Sequence, residues 1–174
     1  MIYYYKPAEI FQYDQFRQAM LDLIPVERRL QGDLYYPPKV DFLRVLPFSY
    51  AMKKLDLLQH VSSVAVVVIP PGKELPIHHD TGSPVYSLNI PIEHCEGTYT
   101  KFYTSTKEPE LIPGIMYRYD PECCTEVDRV YMDAPHVINV HQAHSAHNTG
   151  SNIRLLVAVR LLPSFDINQS LMLT

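Results

Sequence analysis

From about residue 60 onward the chain is a succession of short β-branched and aromatic runs separated by turn residues. That pattern limits the possible folds more than any other feature. Val64-Ala65-Val66-Val67-Val68-Ile69 ends at Pro70-Pro71-Gly72, so it reads as a buried strand closed by a turn. Similar runs follow at 85–92, 98–104, 115–119, 126–132, 136–140 and 153–162. No helical period lies between them, and this spacing indicates a β-sandwich or barrel. Fifteen prolines fit short strands and many turns better than long helices.

The first third differs. Tyr13, Phe16, Met20, Leu23 and Ile24 form an apolar stripe at helical spacing, and Pro25 stops it. A second helix is expected over 49–59, with Tyr50, Leu55 and Leu58 on one side. Residues 34–47, interrupted by Pro37, Pro38 and Pro47, read as loop plus a short strand. The expected organisation is one domain over 1–174. It has a helical cover at 1–60, a β core at 61–163 and a tail at 164–174.

Composition excludes several classes. With 47% hydrophobic and 20% charged residues, a chain of 174 residues can bury a core without disulfides. A net charge of −4 argues against a nucleic-acid groove, which needs a basic face. The 64–69 run is far shorter than the ~20 residues of a membrane span. The N-terminus lacks the basic start and apolar run of a signal peptide. Cys95, Cys123 and Cys124 are odd in number, and two are adjacent, which suits free thiols in a reducing compartment. A cytoplasmic location is expected, with no nucleic-acid or membrane partner.

Eight histidines are more than a core needs, and most fall in two clusters. In an extended segment His78 and Asp80 share a face while His79 points away, so the pair can grip one metal ion. The bland alternative is a surface turn in which Asp80 caps Thr81-Gly82. The second cluster is His136, His141, His144 and His147, ahead of the turn signal Asn148-Thr149-Gly150. A hairpin centred on Thr149 would set His144 directly opposite Arg154, on the same side of one sheet. A four-residue loop would break that register.

In order, Ile77-His78-His79-Asp80, Leu88-Asn89-Ile90-Pro91-Ile92, Thr100-Lys101-Phe102-Tyr103, Val137-Ile138-Asn139, His144-Ser145-Ala146-His147-Asn148 and Arg154 resemble the iron(II)- and 2-oxoglutarate-dependent oxygenases. The likeness is to small members related to aspartyl/asparaginyl and prolyl hydroxylases, and it covers roughly 64–162. It implies a double-stranded β-helix (a cupin-like jelly roll) with the N-terminal helices packed on one sheet. It also implies Fe(II) held by His78, Asp80 and His144, since two imidazoles and one carboxylate make a facial triad with open positions. 2-Oxoglutarate and O2 are then the cosubstrates, and a substrate C–H bond is hydroxylated as succinate and CO2 form.

Arg154 is the expected catalytic-site partner of the distal carboxylate of 2-oxoglutarate, because a guanidinium stays charged and binds carboxylate in a two-point fork. Arg160, six residues further along, is the alternative anchor and is expected to lie too far from the metal. Tyr86, Asn89 and Tyr103 are further candidates for binding 2-oxoglutarate or lining the pocket, with core packing the competing reading. His136, His141 and His147 are expected at the surface or in support, and His60 and His94 in structural roles.

The expected substrate is a small molecule or a peptide, with walls expected from 30–47 and 108–124. Two other readings remain. One is a cupin-type metal enzyme without 2-oxoglutarate, against which Asp80 counts because such sites favour His-x-His. The other is a non-catalytic ligand-binding β-sandwich, against which the intact His/Asp/His/Arg set counts.

Overall fold

The computed structural model describes residues 5–8, 10, 12–30, 34–82, 85–113 and 116–167. Its strands are β1 (Tyr5–Pro7), β2 (Leu34–Tyr35), β3 (Val61–Ile69), β4 (His78–Asp80), β5 (Tyr86–Glu93) and β6 (Tyr99–Ser105). They continue with β7 (Glu110–Ile112), β8 (Met116–Arg118), β9 (Cys124–Tyr131), β10 (His136–Asn139), β11 (His144–His147) and β12 (Arg154–Leu161). The helices, all before β3, are α1 (Tyr13–Leu23), α2 (Val26–Leu30), α3 (Lys39–Arg44) and α4 (Leu46–Lys54).

The strands form two antiparallel six-stranded sheets. The first runs β1-β10-β5-β12-β3-β2 and the second β7-β8-β4-β11-β6-β9. This is the double-stranded β-helix with helices on one sheet.

Strand alternation builds the two layers. On β12, Leu155, Val157, Val159 and Leu161 face the helices and share a core with Val64, Val66, Val68, Leu88 and Ile90. Phe16, Met20, Phe48 and Met52 fill that core from the helix side, with Phe42 and Phe48 edge to face at 5.4 Å between ring centres. The opposite face of β12 turns toward the second sheet, where Leu156 and Ala158 pack with Ala65, Phe102 and Ile138.

The N-terminal third departs from expectation at its prolines. The stripe from Tyr13 does form α1, and Ile24 is extended before Pro25, as a residue preceding proline prefers. However, residues 39–44 are helical, where loop is expected. Pro38 immediately precedes α3, and Pro47 sits in the first turn of α4. There a proline's missing N–H costs nothing, so it starts a helix rather than breaking one. The second helix therefore begins earlier and buries Phe48, Ala51 and Met52, while Tyr50 and Leu58 are exposed. At the other end, Phe165 and Ile167 are buried in the helix-side core, and 168–174 of the expected tail lie outside the described residues. Among the described residues, no helix is long and apolar enough to cross a membrane.

Candidate metal centre and its cavity

A cavity of about 480 Å³ opens between the sheets. Its floor is the inner face of β12, with Arg154, Leu156, Ala158 and Arg160 at alternate positions. The facing wall carries His78 and Asp80 from β4 and His144 from β11. His144 pairs with His78 across these strands, so the backbone register brings the histidines together. Their rings lie 4.4 Å apart, and His78 Nε2 is 3.7 Å from Asp80 Oδ1. One potential ligand atom from each of the three residues falls within 4.8 Å of the others.

The histidines are set for metal binding from behind. His78 Nδ1 lies 2.7 Å from the Pro76 carbonyl and His144 Nδ1 lies 2.8 Å from that of Gln142. A carbonyl only accepts, so each Nδ1 carries the proton and each Nε2 presents a lone pair. Burial holds both imidazoles below the ordinary histidine range, and His144 well below it. Neutral imidazole is the form that ligates. His79 turns to the outer face, where its Nδ1 meets the Tyr119 hydroxyl at 2.9 Å and its ring stacks on Tyr117.

The Asp80 side chain lines the cavity. Its Oδ2 accepts a hydrogen bond from Arg160 Nη1, which leaves Oδ1 toward the histidines. Arg160 is therefore beside the candidate metal centre, not remote from it. The distance counted along β12 was misleading because β4 comes from the other sheet and crosses above that end of the strand. The alternation of 154, 156, 158 and 160 was the available sequence signal.

The expected Thr149 hairpin is also corrected. β11 is bonded to β4 and β6, whereas β12 is bonded to β3 and β5, so His144 and Arg154 are not cross-strand partners. The 148–153 connection passes between sheets. Asn148 supports it, donating from Nδ2 to the Ile69 and Asn152 carbonyls at 2.8 Å and accepting from Gly150 N–H at 3.0 Å. The two residues nevertheless line the same cavity, from opposite layers.

Arg154 is 1% exposed, and among the described residues no carboxylate lies in ion-pair range. Its Nη1 donates to the His147 carbonyl at 3.3 Å, and its Nε has no hydrogen-bond partner. Burial lowers its pKa from the ordinary value, with the Cys95 sulfur as the neighbour that offsets this.

Of the other candidates, Asn89 lines the cavity and accepts from the Ser87 hydroxyl at 2.9 Å. Tyr86 and Tyr103 do not line it. Tyr86 packs edge to face on Phe165 in the helix-side core, and Tyr103 meets the Ser145 hydroxyl on the outer face of the second sheet. Tyr103 lies one residue along from the inward Phe102, so strand parity removes it. Ser63, Val67 and Thr100 complete the lining with Tyr36, Met116 and other wall residues.

No protein-family model matches the chain, and no curated protein matches it. Solved structures do. A prolyl-4-hydroxylase from Pseudomonas putida aligns over 92% of each chain at 11% identity, with a TM-score of 0.53. The non-heme monooxygenase ThoJ aligns over 91% of this chain and 73% of its own, at 16% identity and a TM-score of 0.51. The capsular polysaccharide assembling protein CapF of Staphylococcus aureus aligns at 17% identity over 63% of this chain, with a TM-score of 0.33. This chain spans only 27% of CapF, and that likeness carries no argument. The first two establish the shared double-stranded β-helix and nothing finer.

Proposed function

We propose that the protein is a non-haem Fe(II)- and 2-oxoglutarate-dependent dioxygenase that hydroxylates a C–H bond. The observation that carries this reading is Arg154. A buried guanidinium without a counter-ion is costly by several kcal/mol, so the cavity calls for an anion at that end. 2-Oxoglutarate answers this with one carboxylate for Arg154 and a keto-acid end for the metal.

The donor set fits iron. His78, Asp80 and His144 would hold it through two neutral imidazoles and a carboxylate, a donor set that leaves positions for cosubstrate, oxygen and substrate. The bound iron would supply the oxidising chemistry. This chain's residues orient it. The Pro76 and Gln142 carbonyls aim His78 and His144, and Arg160 holds Asp80 Oδ2 so that Oδ1 faces His78, where it would be free to bind iron. Arg154 orients the cosubstrate from the floor, and the apolar side chains Val67, Val140, Leu156 and Ala158 keep water from the reacting atoms. The prolyl-hydroxylase and monooxygenase neighbours are compatible with oxygenase chemistry on this fold.

The test is succinate formation by anaerobically iron-loaded protein given 2-oxoglutarate and air. Succinate that depends on both iron and 2-oxoglutarate supports the reading. Iron binding without 2-oxoglutarate turnover would favour a cupin-type enzyme.

A further inference from the structure

We propose that the substrate presents a carboxylate to Arg160, an inference that rests on the oxygenase reading above. The argument is one of charge. Among the described residues lining the cavity there are two guanidinium groups, Arg154 and Arg160, and a single carboxylate, Asp80. A histidine that ligates a metal does so as neutral imidazole and adds no charge. A divalent ion contributes two positive charges and the arginines one each, and Asp80 removes one, so the site carries three in excess. 2-Oxoglutarate supplies two negative charges. One positive charge remains, in a cavity whose other walls are apolar or neutral, and unpaired charge in such surroundings is unfavourable.

Geometry assigns the remaining charge to Arg160. The two arginines stand at opposite ends of the same face of β12, separated by Leu156 and Ala158. A carboxylate on Arg154 therefore leaves the other end unmet. Among the described residues Asp80 is the partner of Arg160, through Nη1 alone. A guanidinium has five N–H donors, so donors remain for a second acceptor. The bonded Asp80 fixes the plane in which they point. Arg160 touches the carboxylate ligand of the metal, so an acid seated there has its neighbouring carbons near the open face of the ion. No lysine, glutamate or second aspartate lines the described cavity. A free ammonium would meet no carboxylate other than Asp80, which disfavours zwitterionic amino acids and cationic side chains. The recognised feature is a lone carboxylate, on a small acid or on a peptide's acidic side chain.

The test uses Mn(II)-loaded protein under nitrogen. A first titration with 2-oxoglutarate reads the underlying proposal. Absence of binding there removes that reading and this one with it. With 2-oxoglutarate saturating, acetate and acetamide are compared by calorimetry as minimal probes of equal size. The expected result is that acetate binds about tenfold or more tightly than acetamide, from a charge-assisted fork in place of a neutral contact. Equal affinity overturns the proposal while leaving the oxygenase reading intact.

Ser63→Asp supplies the second measurement. Ser63 lies directly across from Arg160 in the β3–β12 register and also lines the cavity, so aspartate there provides the missing negative charge. Acetate binding should then be lost. Acetate that binds the Ser63→Asp protein as well as the wild type is seated elsewhere, and contradicts the assignment. Should that variant not fold, the wild-type comparison of acetate with acetamide decides alone. Isobutyrate and N-acetyl-aspartate amide then distinguish a free acid from a peptide side chain by which binds tighter.

Discussion

The two sheets of this protein are built alike and burdened differently. The first is apolar on the helix side, and seven of the eight residues of β12 are buried. The second has an outer face of Lys101, Glu126 and Arg129, and on its edge strands β7 and β9 most residues are exposed or half-buried. The candidate metal ligands come from the second sheet and the two guanidinium groups from the helix-covered first one. The guanidinium groups therefore sit on the more deeply buried layer. The ligands, whose Nε2 and carboxylate atoms an ion can organise, sit on the other. The division teaches that the site is made by sheet-to-sheet closure and not by a single hairpin.

The largest effects should separate the inner and outer faces of the second sheet. His78→Ala, Asp80→Ala and His144→Ala should each abolish metal retention and turnover, while His79→Ala, on the outer face, should keep its metal. Elemental analysis of the four purified variants checks this. Full occupancy in His144→Ala would move the assignment to His141 or His147.

A second contrast concerns stability. Phe48 is fully buried between α1, α3 and the first sheet, so Phe48→Ala should cost about 3–5 kcal/mol. Leu111, on β7 of the second sheet, is 47% exposed, and Leu111→Ala should change stability by no more than about 0.5 kcal/mol. Denaturant titration of both measures the difference. A large loss at Leu111 would show that the second sheet's edge is more deeply packed than described.

Arg160→Gln tests whether the first sheet supports the ligands of the second. Without the guanidinium, Asp80 loses the bond that turns Oδ1 toward the histidines, and metal affinity should fall about 10- to 100-fold. Arg160→Lys should restore part of it. Affinity unchanged in both variants would make the Arg160–Asp80 pair incidental.

The smallest effect is on pH dependence. Burial depresses His78 and His144 in the folded protein, whereas an unfolded histidine titrates near 6.5. Below about 6.5 the unfolded chain takes up protons that the fold excludes, so stability of the metal-stripped protein should decline as pH falls through that range. His144→Gln should flatten the slope, as read by thermal midpoints in chelator.

Much of this was legible in the sequence, and the failures have physical causes. Strand parity placed His78 and Asp80 together and set His79 aside, because a side-chain period of two needs no knowledge of the sheet. The β-branched runs marked the core strands for the same local reason. Pairing across the molecule was not legible. Asn148-Thr149-Gly150 turns the chain, but that β12 then joins β3 and β5 instead of β11 is a matter of long-range pairing, which local propensity does not encode. Arg160 was misjudged because distance along one strand says nothing about the strand crossing above it. Pro38 and Pro47 were read as breakers when each stands at a helix start, where proline fits. Tyr86 and Tyr103 were held as candidates for their chemistry, and Tyr103 fails on the same parity that selected Asp80.

The central claim is that Arg154 and the triad hold the two ends of one cosubstrate across the gap between the sheets. Calorimetric titration of 2-oxoglutarate into Mn(II)-loaded wild type and Arg154→Ala tests it most directly. A charge-assisted hydrogen bond contributes about 1.5–3 kcal/mol, so affinity should fall roughly ten- to a hundredfold or more, with Mn(II) retained. Arg154→Lys should recover only part, because an ammonium cannot reproduce the fork. Equal 2-oxoglutarate affinity in wild type and Arg154→Ala would contradict the account.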